Sequence, residues 1–287
     1  MTRQPLRLAV LEAERILAAA GVASPRVDAE LIAAHVLGVE RGTLPLVPLV
    51  DPQVIDAIGQ LVHRRATRVP LQHLLGQAAM GGIAVEVGVG VFVPRPETEL
   101  LLEWGLGELK DVADPLVVDL CTGSGVLALA FAHERPDATV HAVDVDSSAL
   151  AWARRNADTR AAAGDRPVTL HKGDVAEPAL LADLEGRVDL LVCNPPYVPV
   201  GTEVPPEVGE HDPFRAVFAP GDGLAVIRHV VAAAARLLGP GGRFAMEHDD
   251  SQAASVPALV AARRVLTDVA DHRDLAGLPR FVTAWHV

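Results

Sequence analysis

The sequence predicts an α/β fold: a small helical bundle and a β-hairpin, followed by a doubly wound, seven-stranded, mostly parallel sheet. Three observations predict it. Apolar residues recur at helical spacing through the first quarter of the chain. An alternating segment, GGIAVEVGVGVFVP, then changes the hydrophobic period from about 3.6 to 2. From Pro115 onward, strand-like runs alternate with Gly-rich turns and helical stretches, the pattern of a sheet covered by helices on both faces. The chain has 287 residues, half of them hydrophobic, so one large domain, or a medium and a small one, can form a core.

The elements follow in order. Leu8, Leu11, Ile16 and Leu17 mark a first helix that Gly21 can end. Ser24 is a natural N-cap and Pro25 a natural first residue for a second helix, and Asp51-Pro52 repeats that start for a third. This predicts a helical domain over residues 1–75. A hairpin linker follows over 76–95, with Val85, Val87, Val89 and Val91 on one face. The sheet domain takes 96–287. It opens on a helix whose first turn holds Pro96, Glu97 and Glu99. Its strands are PLVVDL, ATVHAVDV, PVTLHKGDV, RVDLLVCN, GRFAMEH, VLTDVA and RFVTAWHV. Only a loop separates the last two, which predicts one antiparallel strand at an edge.

The formal net charge of −12 opposes nonspecific nucleic-acid binding and suits a small-molecule or protein substrate. Cys121 and Cys193 lack metal-ligand spacing and read as reduced thiols of a cytoplasmic protein. The first segment, MTRQPLRLAVLEAERILAAAG, interrupts its apolar pattern with Glu and Arg, unlike a secretory signal. No stretch approaches the ~20 apolar residues of a membrane span.

Chemistry concentrates at strand ends. The run DLCTGSG closes a strand at Asp119 and opens into Cys121, Thr122, Gly123, Ser124 and Gly125. Glycines there let backbone approach a ligand. The next strand ends in Asp144, where an acid can hold ribose hydroxyls; the third ends in Gly173, Asp174 and Val175, beside an adenine position. Ala128 stands where a dinucleotide fingerprint needs its third glycine. S-adenosylmethionine, which has no phosphate, tolerates this loop. A single such acid could merely cap a turn, but here successive strands each end in one.

The fourth strand runs into Asn194, Pro195, Pro196 and Tyr197, the one tyrosine of the chain. Proline cannot donate, so this backbone presents carbonyls. Asn194 adds a side-chain acceptor, and Tyr197 a flat face. Two acceptors and a stacking face suit a planar NH₂ group, an amide or an exocyclic amine. Its delocalised lone pair is a poor nucleophile, and holding both hydrogens turns that lone pair toward an incoming methyl.

With these motifs in place, the chain resembles the HemK/PrmC family of release-factor glutamine N5-methyltransferases. The resemblance covers RVPLQHLLG (68–76), VFVPRPETE (91–99), DLCTGSG, DVDSSAL with ARRNA, NPPY, GDGL (221–224), GPGG (239–242) and DLAGLPRFV (274–282), in the family's order. It implies a Rossmann-like class I methyltransferase domain. The implied reaction is methyl transfer from S-adenosylmethionine to the GGQ glutamine of class 1 peptide chain release factors, by a monomer without direct nucleic-acid contact. It further implies that Cys121 to Gly125 and Asp144 hold the cofactor, that Asp174 and Val175 flank the adenine, and that Asn194 to Tyr197 grip the glutamine. Arg95 and Glu97 would shape the site entrance. Cys121 replaces a glycine usual in the family's loop, MGGIAV (80–85) lacks its usual aromatics, and GLPR (277–280) drops an Arg-Asp pair.

Other features read more plainly. Glu247, His248, Asp249 and Asp250 are adjacent on a strand end and point to alternate faces, which disfavours a shared metal. His63, Arg64, Arg65, Arg68 and His73 read as a solvated basic segment, and Asp222 as a cap for the following helix. NPPY alone also allows a nucleic-acid adenine N6-methyltransferase, against which the acidic charge counts. A non-catalytic binder is disfavoured by the intact tetrapeptide.

Overall fold

The computed structural model describes residues 2–287. The chain divides into two compact units, Met1–Gln77 with Pro205–His211, and Ala78–Val204 with Asp212–Val287.

The first unit is built on helices α1 (Leu6–Ala19), α2 (Pro25–Leu37), α3 (Pro52–Ala66) and α4 (Leu71–Leu75). Proline opens α2 and α3, where its missing N–H costs nothing. Ser24 and Asp51 precede them without making side-chain cap bonds. The buried stripe of α1 is Leu6, Val10, Ala13 and Leu17, whereas Leu8 and Leu11 are exposed. The expected stripe was therefore turned by part of a helix face. Ala13 supplies a close-packing position that leucine spacing does not reveal.

The basic segment is only partly solvated. His63 and Arg64 are exposed, but Arg65 is buried, donating to Asp28 at 2.7 Å and pairing with Glu207 at 2.9 Å. Arg68 meets the other Glu207 oxygen at 2.5 Å. Burial pushes the Glu207 carboxyl up, and the bonds from Arg68 and Arg65 more than reverse it, holding it at about 2. This is why residues 205–211 belong with the helical unit.

The second unit starts at Ala78, inside the first strand of the hairpin Gln77–Met80/Ile83–Glu86, which turns at Gly81-Gly82. The ladder ends earlier than the valine alternation predicts. Val85, Val87 and Val91 are buried, but Val89 is largely exposed, because the chain leaves the ladder after Glu86. Helix α5 (Glu99–Glu108) follows the single turn Pro96–Thr98.

Seven strands form one sheet: β1 (Leu116–Leu120), β2 (Thr139–Asp144), β3 (Thr169–Lys172), β4 (Val188–Cys193), β5 (Leu238–Glu247), β6 (Leu266–Arg273) and β7 (Pro279–His286). Their order is 6-7-5-4-1-2-3. Helices α6 (Val126–Glu134) and α7 (Ser147–Ala162) cover one face with α5 and the hairpin. Helices α8 (Ala225–Leu237) and α9 (Ser255–Ala261) cover the other. Alternate residues of β4 serve the two cores: Leu190 and Val192 one, Leu191 and Cys193 the other.

The antiparallel strand is not at the edge. β7 lies between β5 and β6 and is antiparallel to both. Its run Phe281, Val282, Thr283 and Ala284 is buried throughout and needs neighbours on both sides. β6 is mostly exposed and carries Asp268, Asp271, His272 and Arg273, which suits an edge.

Replacing Glu207 with Ala leaves Arg65 and Arg68 short of a carboxylate. The expected loss is on the order of 2 kcal/mol in urea unfolding, from charge-assisted bonds. Because the folded-state pKa is depressed, the wild-type advantage is full above the ordinary carboxylate value. It should fade as pH falls toward about 2. An advantage that persists at acid pH would contradict the assignment.

Candidate active site

The sheet order reverses between β1 and β4, so the crossovers leaving these strands diverge and open a crevice at their carboxyl ends. A cavity of about 530 Å³ occupies it. Its walls come from the ends of β1 to β4, the segment from Gly90 to Thr98, and the segment from Pro213 to Pro220.

One side is acidic. Asp119 is buried at the end of β1, and the Thr122 hydroxyl donates to it at 2.5 Å. Burial pushes its carboxyl up to about 7, against the Thr122 bond, and the neighbouring Asp144 adds to the rise. Asp144 accepts from the Gly123 amide at 2.9 Å on one oxygen and from the Asp146 amide at 2.9 Å on the other. Burial raises Asp144 too, while these amides oppose it. Each Asp144 oxygen keeps a further lone pair for a ligand hydroxyl. Asp174 accepts the Ala176 amide at 2.9 Å in a tight turn, and lines the cavity with Gly173 and Val175.

The loop between Asp119 and α6 spends its amides internally. Thr122 N donates to Val143 O, Gly123 N to Asp144, and Gly125 N to Thr122 O. Gly123 and Gly125 take positive φ of 58° and 82°. Cys121 also has φ 59°, a region costing a residue with a Cβ about 1–2 kcal/mol. Its thiol lies beside that of Cys193, and both are free. Burial pushes the Cys193 thiol up and Cys121 pushes it further.

Asn194 lies opposite the acids. Its Nδ2 donates to Thr98 Oγ1 at 3.0 Å, which fixes the amide rotation and leaves Oδ1 as an acceptor. Asn194, Pro196 and Thr98 line the cavity. Pro195 is buried and does not. The Tyr197 ring packs against the core beneath α8, with Arg280 and Glu247 near its hydroxyl, rather than on the cavity wall. Burial raises its pKa, and Glu247 adds to this. Gln252 donates to the Tyr197 carbonyl at 3.1 Å. At Gly223, φ 78°, a Cβ would sit 2.3 Å from that carbonyl, so GDGL packs directly under NPPY. Asp222 accepts the Leu224 amide ahead of α8 and pairs with Arg228 at 2.7 Å.

Arg95 and Glu97 also stand behind the wall. Arg95 forms a short ion pair with Asp212 and lies over the Phe92 ring at 4.8 Å. Asp212 accepts the Val93 amide at 3.1 Å. This clamp ties the PRPETE turn to the start of the 213–220 wall. Glu97 faces Arg280 and Glu247.

Sequence reasoning missed several positioning residues because their partners are distant in the chain. Asn156, 2% exposed, accepts from Glu86 N and donates to Glu86 O and Ser124 O, joining hairpin, loop and α7. Thr98, Asp212 and Gln252 are similar. The available signal was a polar residue inside an apolar helical face, as Asn156 is on α7. The MEHDD residues diverge: Glu247 turns toward Thr98, His248 lies between Asp249 O and Asp271, and Asp249 caps the next turn.

Comparison with known proteins agrees with this geometry. The PrmC N-terminal domain matches residues 9–76, and the methyltransferase small domain residues 96–210. The release factor glutamine methyltransferase of Mycolicibacterium smegmatis is 52% identical over 287 residues, covering 100% of this chain and 99% of that one. The chain belongs to the release factor glutamine methyltransferase family. A further relative of this family member is the 4-amino-L-phenylalanine/4-methylamino-L-phenylalanine methyltransferase of Streptomyces pristinaespiralis. It is 40% identical over 265 residues, 90% of this chain and 87% of that one. The T. thermophilus 16S rRNA N2 G1207 methyltransferase, solved with AdoMet and guanosine, shares the fold. Its TM-score is 0.53 at 21% identity, over 74% of this chain and 50% of that one.

The cofactor of this methyltransferase is S-adenosylmethionine, and the acidic side fits it. The loop amides of Thr122, Gly123 and Gly125 are already bonded, so these three do not serve a phosphate. Carboxylates at Asp119, Asp144 and Asp174 repel an anion and favour a ligand bearing a sulfonium and an ammonium. Asp144 offers two oxygens to a vicinal diol.

Asp144→Ala should weaken cofactor affinity about 10–100-fold, the equivalent of lost charge-assisted bonds. An unchanged dissociation constant in calorimetry would remove it from the site. A cationic ligand favours ionised Asp119, whose free-state value is about 7. Affinity should therefore tighten as pH rises through about 7, and Asp119→Asn should flatten that dependence.

Proposed function

We propose that this enzyme transfers a methyl group from S-adenosylmethionine to the side-chain amide nitrogen of the GGQ glutamine in class 1 peptide chain release factors. The carrying observation is the fixed amide of Asn194. Its donor end is held by Thr98, so its acceptor end remains for a substrate N–H at a cavity whose opposite wall is acidic. The name of the M. smegmatis relative supports the substrate class.

When bound, S-adenosylmethionine supplies an electrophilic methyl on a sulfonium that is already a good leaving group. The chain's own task is alignment. Asn194 Oδ1 accepts one amide hydrogen, and the proline backbone that follows, which has no N–H to donate, accepts the other at Pro196, the proline that lines the cavity. With both hydrogens held, the nitrogen lone pair points across the cavity. With the cofactor bound, the new N–C bond would be matched by loss of the neutral thioether from the methyl carbon, and the proton released from nitrogen would pass to solvent water, since Asn194 Oδ1 holds the hydrogen without being basic enough to keep it. Holding reactants in line in this way is worth up to about 7–11 kcal/mol. The Tyr197 ring braces the NPPY turn from the core side, and the Arg95–Asp212 clamp keeps the 213–220 wall in place for the incoming loop.

Among the described residues, no helix is long and apolar enough to cross a membrane. Action as a cytoplasmic monomer completes the proposal, and the acidic charge of −12 supports its working without direct nucleic-acid contact.

Mass spectrometry of a release factor incubated with enzyme and cofactor should find one added methyl on the GGQ glutamine. DNA, RNA and 4-amino-L-phenylalanine serve as competing substrates, the last because of the S. pristinaespiralis relative. Preferential methylation of any of these would replace the proposal. Asn194→Ala should lower kcat about 100-fold or more while the fold is retained. Unchanged turnover would exclude the role given to Asn194.

A further inference from the structure

Behind NPPY lies a carboxyl group that the reaction as described does not use. Glu247 ends β5, 1% exposed. Thr98 stands close enough to this carboxyl to draw its pKa down, and the Thr98 oxygen accepts from Asn194 Nδ2 at 3.0 Å. Three side chains thus stand in line from a buried acid, past the Thr98 hydroxyl, to the amide that holds the substrate. Glu247 Oε1 is sealed from solvent with no hydrogen-bond partner among the described residues. A group serving only to brace the fold would gain from pairing that oxygen, so its isolation asks for another explanation.

The groups facing Glu247 come from every element around it. Arg280 on β7 draws its carboxyl down and Glu97, beside Thr98, pushes it up. Tyr197 and Cys193 lie within its field, and each is raised by it. Arg280 is shared with Asp274 at 3.1 Å, so it does not neutralise Glu247 alone. His248, next along the chain, is committed to Asp271 at 2.8 Å on the other side. Burial pushes the Glu247 carboxyl up to about 7, against the pull of Thr98.

We propose that Glu247 is a positioning residue for methyl transfer, acting on the substrate amide through Thr98 and Asn194. The inference rests on the role given above to Asn194. Ionised Glu247 orients the Thr98 hydroxyl inward, so that the Thr98 oxygen offers its lone pair to Asn194 Nδ2. This holds Asn194 Oδ1 toward the substrate and makes it a stronger acceptor. The substrate nitrogen becomes positive as the N–C bond forms. A carboxylate two hydrogen bonds away stabilises that charge more than it stabilises the neutral amide bound beforehand. Protonation of Glu247 removes the charge and slackens the chain.

The test is Glu247→Gln, which keeps shape and hydrogen-bonding capacity but not charge. The fold, measured by thermal unfolding, and cofactor affinity should be kept. At saturating cofactor, kcat for a release factor should fall 10- to 100-fold with KM within about twofold. Wild-type kcat should rise as pH is raised through about 7, and the variant's profile should be flat there. Thr98→Val should give the same loss and the same flat profile, the double variant should lose little more, and Thr98→Ser should restore activity. A Glu247→Gln enzyme that keeps wild-type kcat and its pH limb overturns the inference, as does a loss confined to KM or to stability. Asn194→Ala separates the two levels: if it is inactive while Glu247→Gln is normal, only the relay fails, and if it is active, the underlying reading fails with it.

Discussion

A parallel sheet whose strand order reverses cannot fill its own carboxyl edge. The connections leaving β1 and β4 turn to opposite faces, and the gap between them must be lined by whatever the strands end in. In this chain they end in Asp119 and the Gly loop on one side, and Asn194-Pro195-Pro196 on the other. All the chemistry follows from that opposition. One wall concentrates buried carboxyls, which suit a cationic donor. The other presents oxygen acceptors fixed by a buried network, which suit a weakly nucleophilic N–H₂. The two are joined in register, Leu120 beside Cys193, so their separation is set by adjacent hydrogen-bonded strands and not by mobile loops.

How much of this was legible depended on the range of each interaction. The strands of the sheet, its helices on both faces and the acids at strand ends are written in local pattern, and the sequence motifs point directly to the residues around the cavity. Thr122, Gly123, Ser124, Asp144, Asp174, Val175, Asn194 and Pro196 all line it. The placement of Pro195 and Tyr197 behind the wall was not legible, because the direction of a side chain after a strand depends on what packs above it. Nor were Thr98, 96 residues from Asn194, and Asp212, 117 residues from Arg95. Periodicity also misled where it outlasted the structure it describes. Valines continue to alternate past Glu86, yet Gly88 and Gly90 take the backbone out of the ladder. The leucines of α1 formed a helical stripe, but the true buried stripe runs through Ala13, whose small side chain carries little hydrophobic signal. The position of β7 required comparing which of two late strands had both faces to bury.

The distribution of charge refines what the net value suggests. Of the acidic excess, Asp119, Asp144 and Glu247 are sunk beside the cavity, where burial lifts each above its ordinary value. They are expensive to ionise, and therefore responsive to a cation that arrives nearby. Asp28 and Glu207 instead serve as counter-ions to Arg65 and Arg68. The same residue types thus do opposite work, one set left uncompensated at the crevice and the other fully matched inside a helical bundle.

That matched set has a consequence for biosynthesis. Arg68 leaves the ribosome 139 residues before the glutamate that completes its surroundings. The amino-terminal helices can collapse early on their apolar stripes. During that interval, however, Asp28 is the one carboxylate bonded to the Arg65 and Arg68 pair, beside the backbone carbonyls of Val69 and Ala20, and the bundle gains its second carboxylate only when most of the sheet domain has been translated. A gene truncated after the first 77 codons would encode the helices without their last counter-ion, so the two halves of this protein are not separable at the point where the chain first passes from one to the other.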